Sequence, residues 1–356
     1  MSDVLTSVAG GLARITLNRP EALHALTTHM CRNMAQALLM WRNDSSVRAV
    51  LIDHAEGTRG FCAGGDIRVL AESGKTDGAA AREFFLTEYQ LNHLLFMYPK
   101  PVVAIMDGVT MGGGVGISMP ARFRIATERT TYAMPETGIG LFPDVGGGWY
   151  LPRKPGKVGM WLALTGARLK AADCIAARIA THYTSSEKLA AAREHITAAA
   201  AGNDVTILLQ DRLEALAEDP GPLKELTPEN RQRIDRIFAL ASVEAILAAL
   251  EADGSDWSKA QLATLATKSP QTLKVTFRQL REGAKMPSFA AEMEREYAIA
   301  CRVVTCPDFA EGVRALIVDK DNKPQWQPPT LAGVTDQILD DIFAPMPSGE
   351  EWTPLV

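Results

Sequence analysis

The sequence lacks the charge pattern of a nucleic-acid-binding protein and the long apolar run of a membrane protein. Its 356 residues carry a formal net charge of −5, and no dense run of Lys and Arg occurs. No stretch approaches the roughly 18 consecutive apolar residues of a membrane span. Nucleic acid and membrane surfaces are therefore poor partners. A small polyanionic ligand is compatible with this charge, because a few local donors can hold a phosphate.

Cysteine is scarce, and no targeting segment is recognisable. The first 20 residues lack the basic segment and the apolar run of a signal peptide. The cysteines form no CxxC pair, and no His/Cys cluster has metal-ligand spacing. Scattered cysteines in odd number are typical of reduced thiols, so the sequence predicts a cytoplasmic protein without a metal site. The five cysteines are Cys31, Cys62, Cys174, Cys301 and Cys306.

Strand, turn and helix alternate through the first half of the chain. Hydrophobic residues make up 47% of the sequence, which is enough to bury a large core in one domain or in two unequal ones. The alternation predicts an α/β core. Thr27 is expected to cap a helix, because apolar residues at helical spacing follow it. Strands are predicted at residues 12–17, 47–52 and 101–106, and further helices from 66, over 80–96 and from 113.

After about residue 184 the chain becomes rich in Ala and Leu. We therefore divide it into a core of residues 1–184, which carries the functional motifs, and a helical region of residues 185–356, which completes the fold. The Pro-rich tail after Pro324 is expected to run over the surface. Predicted helices of this region span 187–201, 204–216, 243–250, 258–268 and 289–304.

Two glycine-rich loops each follow a predicted strand and precede a predicted helix. They read FCAGGDI at residues 61–67 and MGGGVGIS at residues 111–118, and neither matches the Walker A or Rossmann pattern. Glycine lets the backbone approach a ligand closely, and amides at a helix start are unpaired and partly positive. One N–H group from each loop could meet at a single carbonyl oxygen and form an oxyanion hole for acyl chemistry. The alternative is that both loops are only tight turns.

A third segment, residues 134–148, is apolar and holds only two charges. These are the carboxylates Glu136 and Asp144, eight positions apart. Burial of a carboxylate is costly unless it is compensated, and it raises the pKa, which suits an acid, a base or a nucleophile. The alternative for both is a loop carboxylate that caps backbone amides. For Asp144, which precedes Val-Gly-Gly-Gly, the alternative is a helix N-cap.

No serine or cysteine is a convincing nucleophile. Ser118 lacks the closing glycine of a nucleophile elbow, and the six histidines have no fixed spacing to a Ser or Cys. Cys62 lies in the first glycine loop and is interpreted as a small residue that serves packing. The carboxylates are therefore the best candidates for the chemistry.

The motifs together resemble a known family. The two glycine loops and the segment PETGIGLFPDVGGGWYLPR, in this order and spacing, resemble the crotonase (enoyl-CoA hydratase/isomerase) superfamily between residues 12 and 183. The resemblance implies a crotonase-like spiral of ββα units with a helical C-terminal region, and a possible homo-oligomer. Further segments resemble the 3-hydroxyisobutyryl-CoA hydrolase branch, namely LALTGARLKAAD, IATHY, SPQTLKVTFRQL and EGVRALIVDKDNKPQW.

The resemblance implies which residues bind the substrate. The amides of Gly65 and Gly113 correspond to the oxyanion hole of the superfamily. Glu88 matches an acidic substrate-site position of the hydrolase branch. The substrate-binding residues of the first loop, which are expected to meet the CoA part, are Ala63, Asp66, Ile67 and Arg68.

The resemblance also implies which reaction is catalysed. Glu136 corresponds to one of two hydratase glutamates, whereas the position of the other is Gly116, and Asp144 stands where hydratases usually have glycine. This exchange is typical of the hydrolase branch and implies hydrolysis of a short 3-hydroxyacyl-CoA, expected to be 3-hydroxyisobutyryl-CoA from valine breakdown. CoA is then part of the substrate, and no cofactor or metal is expected. Glu136 would act as nucleophile or general base, Asp144 would bind the 3-hydroxyl or place water, and Glu88 would position these groups.

Two alternative functions remain. Hydration or isomerisation of an enoyl-CoA is weakened by Gly116. A non-catalytic acyl-CoA-binding protein is weakened by the presence of both carboxylates and both oxyanion glycines.

Overall fold

The protein combines two β-sheets with a large number of helices. The structure is a computed structural model that describes residues 2–355. Its strands are β1 Val4–Ala9, β2 Leu12–Leu17, β3 Ala49–His54, β4 Gly60–Cys62, β5 Val102–Met106, β6 Val109–Met111, β7 Phe123–Ala126, β8 Thr131–Ala133 and β9 His182–Tyr183.

The α-helices alternate with strands as far as Tyr183 and follow one another without strands in the described residues after it. No helix of the described part is both long and apolar enough to cross a membrane. The helices are α1 Thr28–Arg42, α2 Ile67–Gly74, α3 Ala79–Phe96, α4 Gly113–Ser118, α5 Gly147–Tyr150, α6 Val158–Thr165, α7 Ala171–Ala176, α8 Leu189–Ala201, α9 Val205–Leu216, α10 Pro228–Ile237, α11 Val243–Asp253, α12 Asp256–Leu265, α13 Pro270–Gly283, α14 Phe289–Val303, α15 Pro307–Val313 and α16 Asp336–Phe343.

The larger sheet is covered on both faces. Its strand order is β1-β2-β3-β5-β7-β9, and all neighbours are parallel except β1 and β2. Successive side chains of a strand point to opposite faces. In β3, Val50 and Ile52 therefore pack in the main core, while Ala49 and Leu51 pack against α8 and α9. Burial on both sides explains why these strands read as continuous apolar runs.

The smaller sheet directs the functional loops to one place. Its three strands run parallel in the order β4-β6-β8. The first ends just before the loop at residues 63–66, the second just before Gly112, and the third shortly before Glu136. Because the carboxyl ends of parallel strands lie at the same edge of a sheet, these three segments meet there. From β3 to β8, each successive strand pair adds one strand to each sheet and helical turns follow, which confirms the predicted spiral of ββα units.

Most predicted elements are present. The strand at residues 12–17 has the predicted bounds, and Thr27 caps α1 by accepting a hydrogen bond from the Met30 N–H at 3.2 Å. The prediction for the tail is wrong in part, because Leu339 and Ile342 of α16 are buried in the core, as is Trp352. The last strand ends at Tyr183. The proposed division at residue 184 stays a prediction.

The helices of the second half begin differently from those beside the glycine loops. Serine or threonine side chains cap six of them by accepting a backbone N–H of the first turn. By contrast, α4 and α5 begin after Gly112 and Gly146 and have no side-chain cap. The first turn of α4 therefore has no N-cap side chain, whereas in α5 the Gly148 N–H donates to Glu296, a residue of α14. The capping residues are Thr227, Ser242, Ser255, Ser269, Ser288 and Thr335.

Candidate active site

A pocket of about 670 Å³ opens at the edge where the smaller sheet ends. The first half of the chain contributes the glycine loops, one face of α3 and the acidic segment. The second half contributes the stretch between α12 and α13 and part of the segment after α15. The residues predicted for the site that line this pocket are Ala63, Gly65, Ile67, Glu88, Gly113, Glu136 and Asp144.

Three carboxylates converge on the pocket. Glu88 is 2% exposed, Glu136 4% and Asp144 5%. Glu88 Oε1 and Glu136 Oε2 have no hydrogen-bond partner within the described residues. Buried polar atoms are rarely left without a partner. The unpaired oxygens therefore mark the place where a polar ligand is expected.

Burial and mutual repulsion keep these carboxyl groups less acidic than usual. Burial, and then the nearby Asp144 charge, raise the pKa of Glu136 well above its ordinary value. Burial likewise raises the pKa of Glu88, with Asp144 and Glu136 adding to the effect. Burial raises the pKa of Asp144 to about 6, against a lowering by the Tyr89 hydroxyl. Such raised pKa values in a cleft are typical of acid–base and nucleophilic groups.

The two glycine loops lie against each other. A side chain at Gly112 would come within 3.2 Å of Gly64 Cα and within 3.3 Å of Glu136 Oε1. Gly112 has φ +47° and ψ −121°, a conformation that only glycine adopts readily. Gly113 is the first residue of α4, and the Gly65 N–H has no acceptor among the described residues. Neither amide thus has a backbone acceptor among the described residues. That the two meet at one ligand oxygen, as an oxyanion hole requires, stays a prediction.

Asp144 is not a helix cap. Its Oδ2 accepts a hydrogen bond from the Tyr89 hydroxyl at 2.7 Å, and α5 begins only after Gly146 with no side-chain cap. The capping interpretation is therefore wrong for Asp144. For Glu136, the unpaired Oε2 also argues against a capping role. Cys62 is buried, and burial raises the pKa of its thiol to about 12, which agrees with a packing role.

The position of the missing hydratase carboxylate is filled by other groups. A Cβ at Gly116 would lie 2.7 Å from Asn92 Nδ2 and 2.7 Å from Val145 Cβ. Real Cβ atoms essentially never approach other atoms so closely. Asn92 is fully buried, and neither its amide nitrogen nor its amide oxygen has a partner in the described part of the chain. A larger side chain therefore cannot be added at Gly116 without moving its neighbours.

Two predicted substrate-binding residues lie outside the pocket lining. Asp66 forms an ion pair with Arg19 at 2.9 Å, and Arg68 donates a hydrogen bond to the Ile317 carbonyl at 3.1 Å. Arg68 thereby contacts a residue that does line the pocket. For Asp66 and Arg68, a role in binding CoA stays a prediction that concerns their backbone rather than their side chains.

Several lining residues were missed by the sequence analysis. Lys268 lines the pocket beside Gly138, where a Cβ would lie 3.2 Å from its Nζ. Burial lowers the pKa of Lys268, and the Glu136 charge partly opposes this. A π-helical turn at Arg314–Val318 brings Ile317 to the pocket. Such turns often occur at functional sites, but no spacing in the sequence distinguishes them from an ordinary helix.

The described residues contain no group of three or more His, Cys, Asp or Glu side chains that could hold a metal ion. The expectation that no metal or cofactor takes part stays a prediction.

Comparison with known proteins identifies the family. The family model described as enoyl-CoA hydratase/isomerase matches residues 12–343. The chain belongs to this family. Among the curated relatives, a Danio rerio protein is 47% identical over 348 residues, which is 96% of this chain and 90% of the relative. A Homo sapiens protein is 42% identical over 352 residues, 98% and 90% of the two chains. Both are named 3-hydroxyisobutyryl-CoA hydrolase, mitochondrial.

Solved structures of the enoyl-CoA hydratase/isomerase family share the whole fold. A Mycobacterium thermoresistibile protein described as a carnitinyl-CoA dehydratase superimposes with a TM-score of 0.91, at 41% identity and 99% coverage of both chains. A Rhodobacter sphaeroides 2.4.1 protein described as an enoyl-CoA hydratase gives 0.87 at 37% identity, covering 99% of this chain and 100% of the other. These superpositions confirm the predicted fold, including the helical C-terminal part.

The comparison corrects one prediction. The curated relatives are named as mitochondrial proteins. The predicted cytoplasmic location, which rested on scattered cysteines and an unremarkable first segment, is therefore wrong. Reduced cysteines are compatible with more than one compartment, so the scattered thiols do not identify the location.

Proposed function

We propose that the protein hydrolyses 3-hydroxyisobutyryl-CoA to the free hydroxy acid and CoA. The observation that carries this proposal is the arrangement around Gly116. Asn92 and Val145 fill the space that a second hydratase glutamate would need, while Asp144 shares the pocket with Glu136. Curated relatives that are 40–47% identical over nearly the full chain bear the name of this hydrolase. We assign the reaction to valine breakdown, because its substrate is an intermediate of that pathway.

The first step is polarisation of the thioester carbonyl. The N–H groups of Gly65 and Gly113 donate to its oxygen and stabilise the negative charge that develops there, a contribution of roughly 10²–10³-fold per donor. Their place at the ends of β4 and β6 supports this role, because both amides belong to rigid strand-to-helix connections.

Glu136 then drives the acyl transfer. As a nucleophile, its carboxylate attacks the carbonyl carbon, the C–S bond breaks with its electron pair going to sulfur, and water hydrolyses the resulting anhydride. As a general base, it takes a proton from a water molecule that attacks the same carbon. Both routes consume one water and release CoA and the acid. Single turnover in H₂¹⁸O, followed by mass analysis of the Glu136 peptide, separates them, since only the anhydride route can label Glu136.

Asp144 and Glu88 support the reaction around Glu136. Because its pKa is about 6, Asp144 is partly protonated near neutrality and can give a proton to the leaving sulfur. In its charged form it accepts a hydrogen bond from the substrate 3-hydroxyl. Glu88 has an unpaired oxygen close to Gly113 and positions the water or the hydroxyl.

The deciding experiment supplies three substrates to the purified protein. We expect rapid CoA release from 3-hydroxyisobutyryl-CoA, measured with a thiol reagent, and slower release from isobutyryl-CoA. A site built around a hydrogen bond can reject the analogue without the hydroxyl by up to roughly 10⁴–10⁵-fold. Crotonyl-CoA should undergo negligible hydration, which is measured as the loss of its enoyl absorbance. Efficient hydration of crotonyl-CoA would replace the hydrolase proposal by a hydratase one, and inertness towards all three would indicate a binding protein.

One variant makes this test specific. Asp144→Gly should abolish hydrolysis without creating hydratase activity, because Gly116 still provides no second carboxylate. A homo-oligomer remains part of the proposal, and light scattering of the purified protein tests it.

A further inference from the structure

The loop that carries Asp144 is bound by a helix from the far end of the chain. Glu296, on α14, is fully buried. Its Oε2 accepts a hydrogen bond from the Gly146 N–H at 2.7 Å, and its Oε1 accepts one from the Gly148 N–H at 2.9 Å. One carboxylate therefore holds two backbone amides that follow Asp144 within four residues.

A second side chain fixes the other end of the same loop. Gln279, on α13, donates through Nε2 to the Pro143 carbonyl at 2.9 Å and to Glu296 Oε1 at 3.1 Å. The backbone is thus held both before and after Asp144. Gln279 and Glu296 also hold each other, so the two helices act on the loop as one unit.

The loop has a conformation that needs such support. Val145 is fully buried and has φ +51°, which is a rare conformation for a β-branched residue. Backbone in such regions persists only where the surroundings determine it fully, and it is found mainly at functional sites. Val145 is the neighbour of Asp144, so relaxation of its backbone would rotate the Asp144 side chain away from Tyr89.

We propose that Glu296 is a positioning residue that sets the place of the Asp144 carboxylate in the pocket. This inference rests on the proposed function. Glu296 does not line the pocket and touches no reacting atom; it acts through the amides of Gly146 and Gly148. Its effect is on turnover and on recognition of the 3-hydroxyl, the two tasks assigned to Asp144, rather than on binding of the CoA part.

The variant that tests this is Glu296→Gln. Glutamine has the same size but offers one acceptor oxygen and one NH₂ donor, so one of the two amides would face another donor. We expect kcat for 3-hydroxyisobutyryl-CoA to fall by about 10–100-fold, as for a small displacement of a reacting group. KM should stay within about threefold, and the preference over isobutyryl-CoA should decrease.

The matched control is Asp53→Asn. Asp53 is also fully buried and bound by several donors, and it lies on β3 outside the pocket. The control makes the same chemical change and should lower the melting temperature while kcat, KM and substrate preference stay unchanged. A loss of stability alone therefore cannot produce the result expected for Glu296→Gln.

A crystal structure of Glu296→Gln gives a readout independent of activity. We expect Val145 to leave the left-handed region and the Asp144–Tyr89 hydrogen bond to lengthen. If both are unchanged, or if kcat and substrate preference equal those of the unmodified protein, the positioning role is overturned. If the unmodified protein releases no CoA, the proposed hydrolysis fails while the structural readout still decides the role of Glu296. Should the variant fold poorly, Gln279→Met removes the bonds to Pro143 and to Glu296 Oε1 but leaves Glu296 to accept from the Gly146 and Gly148 amides, so it should give a smaller effect in the same direction.

Discussion

Asp53 and Asp144 are both buried aspartates of the same fold, but their surroundings differ. Asp53, on β3 of the larger sheet, accepts hydrogen bonds from Arg14, Thr16 and Arg193. Asp144, in the pocket, accepts one side-chain hydrogen bond, from Tyr89, and has no cation beside it. Around Asp144, further carboxyl oxygens of Glu88 and Glu136 are unpaired.

The two aspartates show that a buried carboxylate can either stabilise the fold or be available for chemistry, depending on its hydrogen-bond donors and cations. Around Asp53, cations and a hydroxyl compensate the charge, so the carboxylate links β2, β3 and α8. Around Asp144, little compensates the charge, and the pKa rises instead. A buried carboxylate that is poorly compensated costs stability and is available for chemistry. The two regions should therefore respond in opposite ways to the same substitution.

The largest effect is expected at the centre of the uncompensated region. Glu136→Gln preserves the size of the side chain and removes its charge, so turnover should fall by roughly 10³-fold or more while substrate affinity is largely retained. Steady-state kinetics and a binding titration measure this. Glu225→Gln is the matched control, because Glu225 lines the same pocket but has no assigned role. Turnover of Glu136→Gln within a few-fold of the unmodified protein would reduce Glu136 to a structural residue.

The second largest effect on turnover is expected at the proposed oxyanion hole. Gly113→Pro removes one N–H group at the first position of α4, where proline is otherwise tolerated. Loss of one such donor should reduce kcat by roughly 10²–10³-fold. Any side chain at Gly113 also meets the Glu88 carboxylate. Gly113→Ala therefore serves as the control, since it has the same crowding but keeps the N–H. Equal rates for the two variants would contradict the role of the Gly113 amide.

The comparison itself is tested by neutralising each aspartate. Asp53→Asn leaves Arg14 and Arg193 without their charged partner and should lower the free energy of unfolding by about 3 kcal/mol. Asp144→Asn should raise it, because a shift of the pKa from 3.8 to about 6 corresponds to a cost on the order of 3 kcal/mol for the charged form.

The gain in stability expected for Asp144→Asn depends on pH. A folded-state pKa above the unfolded value means that no cost exists below pH 3.8, and that the cost grows as the pH rises through about 6. The gain from Asp144→Asn should thus be largest at pH 8 and smaller at pH 5, measured by urea unfolding at both values. A loss of stability at pH 8 would show that Asp144 is compensated as Asp53 is.

The smallest effect sharpens the description of the pocket. Burial and the Asp144 charge raise the pKa of Glu136, and the Lys268 charge opposes this rise. Since ionised Glu136 is required for turnover, the acidic limb of kcat/KM should move to higher pH in Lys268→Met. Lys268→Arg keeps the charge and should leave the limb near its original position. A limb that stays in place in both variants would mean that Lys268 acts elsewhere, for example on the CoA part of the substrate.

Much of the fold could be predicted from local patterns. Strands buried on both faces read as apolar runs, and Thr27 marked the start of α1, so their elements were found near their bounds. The helix α13 is absent from the predicted helices, because a Ser-Pro pair at residues 269–270 can equally interrupt a helical pattern. In the structure Ser269 is the N-cap and Pro270 the first helical residue, a position that proline favours.

Site residues could be predicted only where they lie together in one short segment of the sequence. Glu136, Asp144 and the glycine loops lie in short segments with unusual composition. Lys268, Gln279 and Glu296 lie more than 120 positions from Asp144. Lys268 follows α12, and the other two lie in α13 and α14, in segments of ordinary composition. Their proximity to the site follows from the packing of α12, α13 and α14, which no local pattern in the sequence shows.

The crowding around Gly116 constrains how this enzyme could change its reaction. A glutamate introduced there would meet Asn92 and Val145, and Val145 belongs to the loop held by Glu296. Hydratase activity in this pocket would need a glutamate in place of Gly116, a smaller residue in place of Asn92 and a rebuilt loop at the same time. The intermediates would have neither activity, so selection would oppose each single step. Packing in this corner therefore ties the choice of reaction to several residues at once, and it makes a change to hydration by single substitutions unfavourable.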